Sequence, residues 1–219
     1  MDRERVALKV ITTLRRMYYG GARPGRDPET DDDAVEGPFK VLIATLLSHR
    51  TRDESTHMAC KNLFARYDTP QALASAPIRR IESLIKPVGF YHVKARRIRD
   101  VSRLLVDKFG GEVPEDMDLL LSIPGVGRKT ANCVLVYGFG SDAIPVDTHV
   151  HRISNRLGLV KTKDPEETEK VLTRIFKKKD WRDVNRLFVV FGQRLCKPIG
   201  PRCTECPFTF CPSRKSQED

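Results

Sequence analysis

The chain has 219 residues, with 39 Lys and Arg against 29 Asp and Glu, and carries a formal charge of +10 at neutral pH. Its 40% apolar and 31% charged composition is that of a globular chain and excludes a disordered one. No apolar run approaches the roughly 18–20 residues that cross a bilayer, and the start lacks the apolar stretch of a secretory signal, so neither a membrane nor a secreted protein is expected.

Apolar spacing is helical almost throughout. Val6, Val10, Leu14 and Met17 mark one face of an opening helix. Residues 20–38, rich in glycine, proline and acid, read as a connection. Phe39 to Leu47 is nearly all apolar, too long for a typical strand and suited to a central buried helix. Thr69-Pro70 then places a cap residue before a proline at the first helical position. Ile78, Ile81 and Ile85 mark the next helical face, and Ile98, Val101 and Leu105 another. Asp116 to Ile123 and Arg128 to Tyr137 read as two short helices. Thr148 is placed to cap a further one, and Asp164-Pro165 opens another, with Glu167 completing a capping box. Strand-like alternation is scarce, so the expected fold is all-α. Changes of character place a bundle over residues 34–141, with 1–33 and 142–219 forming a discontinuous second lobe.

The positive excess suits a polyanion, because neutralising phosphates releases condensed counterions. Between the two short helices, Pro124-Gly-Val-Gly127 makes a tight turn. Gly125 and Gly127 permit positive φ and close approach of another backbone, and the following helix start offers unpaired N–H groups to a phosphate. Arg128 and Lys129 follow directly. A helical lysine is ordinarily a surface charge or a phosphate contact. Here the positive helix start and Arg128 both disfavour a further charge, which would favour the neutral, nucleophilic amine. Asp147, in Val146-Asp-Thr-His149, is by itself either a helix N-cap or a catalytic carboxylate.

Six cysteines divide unevenly. Cys60 and Cys133 stand alone and read as core residues. Cys196-x6-Cys203-x2-Cys206-x4-Cys211 puts four soft ligands in one short loop, suited to a tetrahedral zinc or a cubane iron–sulfur cluster. A tight cluster of this kind points to a metal site in a reducing compartment rather than to disulfides. Lys177-Lys-Lys179 reads as a solvated patch, and His149 and His151 as packing or capping groups.

These motifs together resemble the endonuclease III-type DNA glycosylases of the helix-hairpin-helix superfamily. The resemblance rests on Leu46-Leu-Ser48, Gly89-Phe-Tyr-His-Val-Lys-Ala95, Ile123-Pro-Gly-Val-Gly-Arg-Lys-Thr-Ala-Asn132, Val146-Asp-Thr-His149 and the four-cysteine tail. It implies two helical lobes with a DNA cleft between them. It further implies Lys129 as the Schiff-base nucleophile, Asp147 as the essential carboxylate, and a [4Fe–4S] cluster on Cys196, Cys203, Cys206 and Cys211, with zinc the lesser alternative. The family's usual final cysteine spacer is five residues, and here it is four.

By the same resemblance Arg50 stands where the family inserts a residue, usually glutamine, into the gap left by a flipped nucleotide. Phe90 falls on the wedge position, where core packing is the competing reading. Asp53 matches a carboxylate near the site, with a plain helix-surface role equally open. Gly125, Gly127, Arg128, Lys197 and Arg202 are the remaining candidate DNA contacts. The implied activity is a bifunctional glycosylase/AP lyase for oxidised pyrimidines, working as a cytoplasmic, nucleoid-associated monomer on damaged or abasic duplex DNA. A mismatch or other-lesion glycosylase on the same scaffold is one alternative, and a non-catalytic DNA-binding iron–sulfur protein is the other.

Overall fold

The computed structural model describes residues 2–20 and 35–214; most of the 20–38 connection, and the boundary expected at 33/34, lie outside them. Among the described residues the chain is helical, with no strand. It divides into two compact units, Met1–Asp27 with Asp142–Asp219, and Pro28–Ser141.

The second unit is built on α2 (Gly37–Ser48), which buries Phe39, Val41, Leu42, Ile43, Leu46 and Leu47. Around this core stand α3 (Asp53–Phe64), α4 (Pro70–Ser75), α5 (Ile78–Leu84) and α6 (Tyr91–Phe109). Thr69 caps α4 as expected, its hydroxyl accepting from the Ala72 N–H at 3.2 Å. Ile98, Val101 and Leu105 form the buried stripe of α6. The pair expected over 116–137 is present in altered form. Asp116 is not helical but caps α7 (Met117–Leu121), accepting from the Leu119 N–H at 2.9 Å. The second helix, α8, runs only from Arg128 to Cys133 before widening into a π-helical turn over Val134–Phe139.

Gly138 in that turn explains part of the close fit. A Cβ there would stand 2.7 Å from Pro38 Cα at the start of α2, and a backbone atom cannot swing aside. Gly138→Ala is therefore expected to cost about 1–3 kcal/mol through overpacking. Urea unfolding reads this directly; a variant as stable as the parent would show that α2 and the π turn can separate.

The first unit contains α1 (Arg3–Tyr19), α9 (Thr148–Arg156), α10 (Pro165–Ile175), a 3-10 turn (Lys178–Asp180) and α11 (Trp181–Arg194). Val6, Val10 and Leu14 are buried as expected, but Met17 is exposed. Tyr18 packs on the core in its place, because the 3.6-residue period carries the apolar face from Leu14 to position 18. The nearly buried Arg15 side chain ties α1 to the 180–183 segment. It donates to Asp180 at 2.7 Å and through Nε to Asp183 at 2.9 Å. Such a charge is tolerated in this position because both carboxylates accompany it.

Two start signals differ in detail from the sequence reading. Asp147, not Thr148, caps α9. At α10, Asp164 accepts from the Glu167 N–H at 2.8 Å, but Glu167 reaches back to the Lys163 N–H at 3.0 Å, one residue beyond the reciprocal partner of a capping box. Lys177, Lys178 and Lys179 are exposed, and no helix among the described residues is long and apolar enough to cross a membrane.

Candidate active site and cysteine pocket

The turn between α7 and α8 is closed by the Val126 N–H on the Ile123 carbonyl at 3.0 Å, with both side chains buried. Gly125 has φ +85°, where a side chain is strained, and a Cβ there would press on Arg97 at 3.1 Å. Gly127 differs from the expectation: it caps α8 at φ −96°, so its value is room rather than dihedral freedom. A Cβ at Gly127 would meet nothing within 4 Å. Arg128 and Lys129 are half-buried in the first turn of α8, while Thr130, Ala131, Asn132 and Cys133 are buried and anchor it. The apolar side of the hairpin is thus spent on holding Lys129 at the surface.

Two non-glycine residues among the described chain have positive φ, and they are Arg50 at 53° and Phe90 at 59°. A left-handed conformation at such residues is uncommon, and it concentrates at functional positions. Phe90 is 69% exposed, which sets aside the core-packing reading of this side chain. Arg50 is exposed as well. Their turns adjoin, since a Cβ on Gly89 would lie 3.6 Å from the Arg50 carbonyl oxygen. Asp53 opens α3 and is exposed, where its charge complements the positive helix start.

Residue types alone gave no sign of two further groups. Lys94 is 6% exposed, and its ammonium donates to the Leu47 carbonyl and the Thr51 hydroxyl, each at 2.6 Å. Burial chiefly, and Arg97 next, hold its pKa below the usual lysine range. His49 is half-buried, with Nε2 3.3 Å from the Thr130 hydroxyl. Burial, then the positive charges of Lys129, Lys94 and Arg97, push its pKa down, which favours the neutral ring beside that cationic group. The sequence signal for Lys94 was its place in the Gly89–Ala95 motif, without any hint of burial.

In the other unit Asp147 is half-buried in extended conformation, and its Oδ1 accepts from the Val150 N–H at 2.8 Å. Among the described residues Oδ2 takes no hydrogen bond. The N-cap reading is therefore correct for one oxygen and leaves the second for other work. His149 meets Arg152 at 3.1 Å and His151 meets Thr168 at 2.7 Å, both within the packing around α9.

Cys196, Cys203, Cys206 and Cys211 all line one pocket, walled by Phe191 and Phe208. Burial is the main cause raising the Cys206 and Cys211 thiols, and the neighbouring cysteines add to it. Several thiolates would need a cation to share this space. The pocket is fastened to α9: Arg152 donates to the Cys196 carbonyl at 2.9 Å, and Arg156 to the Lys197 and Pro198 carbonyls at 2.6 and 2.9 Å. Lys197 is half-buried, whereas Arg202 is exposed and 3.8 Å from Glu205. Cys60 and Cys133 are buried core residues, as expected.

Helices throughout the described residues, two such units, a glycine hairpin presenting a lysine, and a four-cysteine loop define a class. Residues 43–178 match the HhH-GPD superfamily of base excision DNA repair proteins. Endonuclease III of Thermotoga maritima is 54% identical, over 84% of this chain and 83% of its own length. That of Bacillus subtilis is 42% identical over 78% of both. A trapped endonuclease III–DNA covalent intermediate superposes with a TM-score of 0.83, at 35% identity and 96% coverage of both chains. The chain belongs to the HhH-GPD superfamily and, within it, to the endonuclease III family. The membership makes it a base excision repair DNA glycosylase with AP lyase activity.

Proposed function

We propose that the protein removes oxidised pyrimidines, such as thymine glycol, from duplex DNA and cuts the resulting abasic site through a Lys129 imine. The observation that carries this reading is the half-buried Lys129 at the start of α8, held there by the buried Ile123, Val126 and Thr130 to Cys133 of the hairpin. In the proposed course a damaged nucleotide leaves the stack, and Phe90 and Arg50 occupy the space it vacates. Lys129 forms a bond from the Nζ lone pair to the sugar C1′ and gives up a proton, while the C1′–base bond breaks and the base departs with that electron pair and takes up a proton. The ionised Asp147 Oδ2 offsets positive charge developing on the sugar. Ring opening yields the imine, loss of a C2′ proton expels the 3′ phosphate, and water then hydrolyses the imine to free the lysine. Arginine at position 50 donates but cannot accept, unlike glutamine, so the preference for the opposite base should differ from that of glutamine-bearing relatives.

The half-buried Arg128 and the open space at Gly127 support binding of the phosphate backbone by Arg128, Gly125 and Gly127, with the half-buried Lys197 and the exposed Arg202 as further contacts. Asp53 is proposed only as a support near Arg50. Cytoplasmic, nucleoid-associated work as a monomer is the setting that fits a reduced cysteine cluster and a DNA substrate. The test is a panel of duplexes carrying oxidised pyrimidines, uracil, a T·G mismatch or an abasic site. Release from thymine glycol well above the mismatch supports the reading, and the reverse order favours the mismatch enzyme. Salt-sensitive binding without cleavage of any duplex would favour the non-catalytic module.

The four cysteines are assigned to a [4Fe–4S] cluster with a structural role. They line one pocket, and four thiolates suit a cubane iron–sulfur cluster, the group the family resemblance implies. Arg156 Nη1 lies 3.6 Å from Cys196 Sγ, a contact suited to tuning a thiolate ligand. Cys203→Ser is expected to bleach the brown protein and lower its melting temperature, read by visible absorbance, iron content and calorimetry. A colourless parent holding one equivalent of zinc would contradict the assignment.

A further inference from the structure

We propose that Lys94 is a positioning residue that locks Arg50 and Phe90 to one another, so that the two insert into DNA as one rigid device. The inference rests on the reading of Arg50 and Phe90 as inserted residues. Its physical basis is a set of contacts on both sides of each turn. The Lys94 ammonium donates to Leu47 O, near the end of α2, and to the Thr51 hydroxyl. These acceptors flank Arg50, so one cation closes the turn that forces Arg50 to positive φ. The backbone of the same residue reaches the other turn: the Lys94 N–H donates to the Phe90 carbonyl at 3.0 Å, forming the first turn of α6. Neither turn has a glycine at its left-handed position to relax the conformation.

Among the described residues no carboxylate pairs with this buried ammonium. A lysine placed there for stability alone would be an expensive choice, since apolar residues fill such volumes without a desolvation penalty. A short, multi-donor cation does what an apolar side chain cannot, holding the carbonyl and the hydroxyl in fixed relation to the α6 backbone. The two turns lie side by side, since even a Cβ built on Gly89 would come within 3.6 Å of the Arg50 carbonyl oxygen. His49, bonded to Thr130 beside Lys129, ties the same loop to the hairpin. Loss of the Arg50–Phe90 device is expected to weigh most on duplex substrates, where an opposite strand faces the vacated gap, and less on a single-stranded abasic site.

That difference supplies the test. Full-length parent, Lys94→Met, Thr51→Val, Arg50→Ala and Phe90→Ala are compared in single-turnover base release from thymine glycol duplexes bearing each of the four opposite bases. Borohydride trapping on a single-stranded abasic oligonucleotide is measured alongside. Lys94→Met is expected to slow duplex release by about tenfold or more and to flatten the opposite-base ratios to those of Arg50→Ala, with trapping reduced less than about threefold. The Lys94→Met/Arg50→Ala double variant should lose little more than either single one. Thr51→Val, which removes one contact without disturbing a charge, should move the ratios the same way to a smaller extent, and it decides the matter if Lys94→Met does not fold. Parental ratios in both variants, or equal loss on duplex and single strand, would overturn the proposal. If Arg50→Ala and Phe90→Ala themselves keep parental ratios, the insertion reading fails and this inference falls with it.

Discussion

Lys129→Ala is expected to reduce strand cleavage of an abasic duplex by at least about a thousandfold, since it removes the attacking amine. Folding should be untouched, because the side chain is half-buried at the outer edge of α8 and the anchoring residues are Thr130 to Cys133. Affinity for abasic duplex should fall only as far as loss of one cation requires, with a slightly shallower salt dependence. A gel assay of nicking, paired with filter binding, separates the two. Nicking within tenfold of the parent would remove Lys129 from the chemistry and leave it a phosphate contact.

Asp147 carries the second large expectation, and its double duty makes the choice of substitution informative. Oδ1 caps α9 through the Val150 N–H. Asparagine caps about as well as aspartate, whereas alanine costs about 1 kcal/mol of helix stability. Asp147→Asn should therefore melt with the parent and Asp147→Ala below it, while both lose base release by roughly a thousandfold through loss of the negative charge. Were the carboxylate only a cap, activity would follow the melting temperature, with the asparagine variant fully active. Single-turnover release from a thymine glycol duplex, beside calorimetry of all three proteins, distinguishes these patterns.

Much of this architecture can be read from local chemistry. Thr69-Pro70 and Asp164-Pro165 open helices because a capping oxygen and a proline at the first position satisfy needs that arise within four residues. The apolar stretch of α2 and the stripe of α6 are equally local. What escaped depends on neighbours distant in sequence. Nothing in Gly89–Ala95 distinguishes a surface lysine from one buried against Leu47 and Thr51, more than forty residues earlier. The left-handed turns at Arg50 and Phe90 went unread for a related reason. Positive φ is normally announced by glycine, and here the surrounding contacts impose it on residues that resist it. The π turn after α8 packs closely on Pro38 through Gly138, a contact that no periodicity in 128–139 records.

The site was legible in a different way. A four-cysteine loop is recognisable from spacing, and the fold gathers it into one pocket. Lys129 and Asp147 stand out individually only as a cation and a cap; their roles as nucleophile and carboxylate come from the resemblance to a family and are proposals. Met17 shows the limit of spacing at a helix end, where three- and four-residue steps compete and the core chose Tyr18.

The most direct measurement of the whole account is covalent capture. Parent protein is mixed with a thymine glycol duplex, reduced with borohydride during turnover, digested, and the cross-linked peptide is sequenced by mass spectrometry. The account predicts an adduct on Lys129, dependent on reductant and absent from Lys129→Ala. An active enzyme that gives no adduct, or one joined through a different amine, would contradict it.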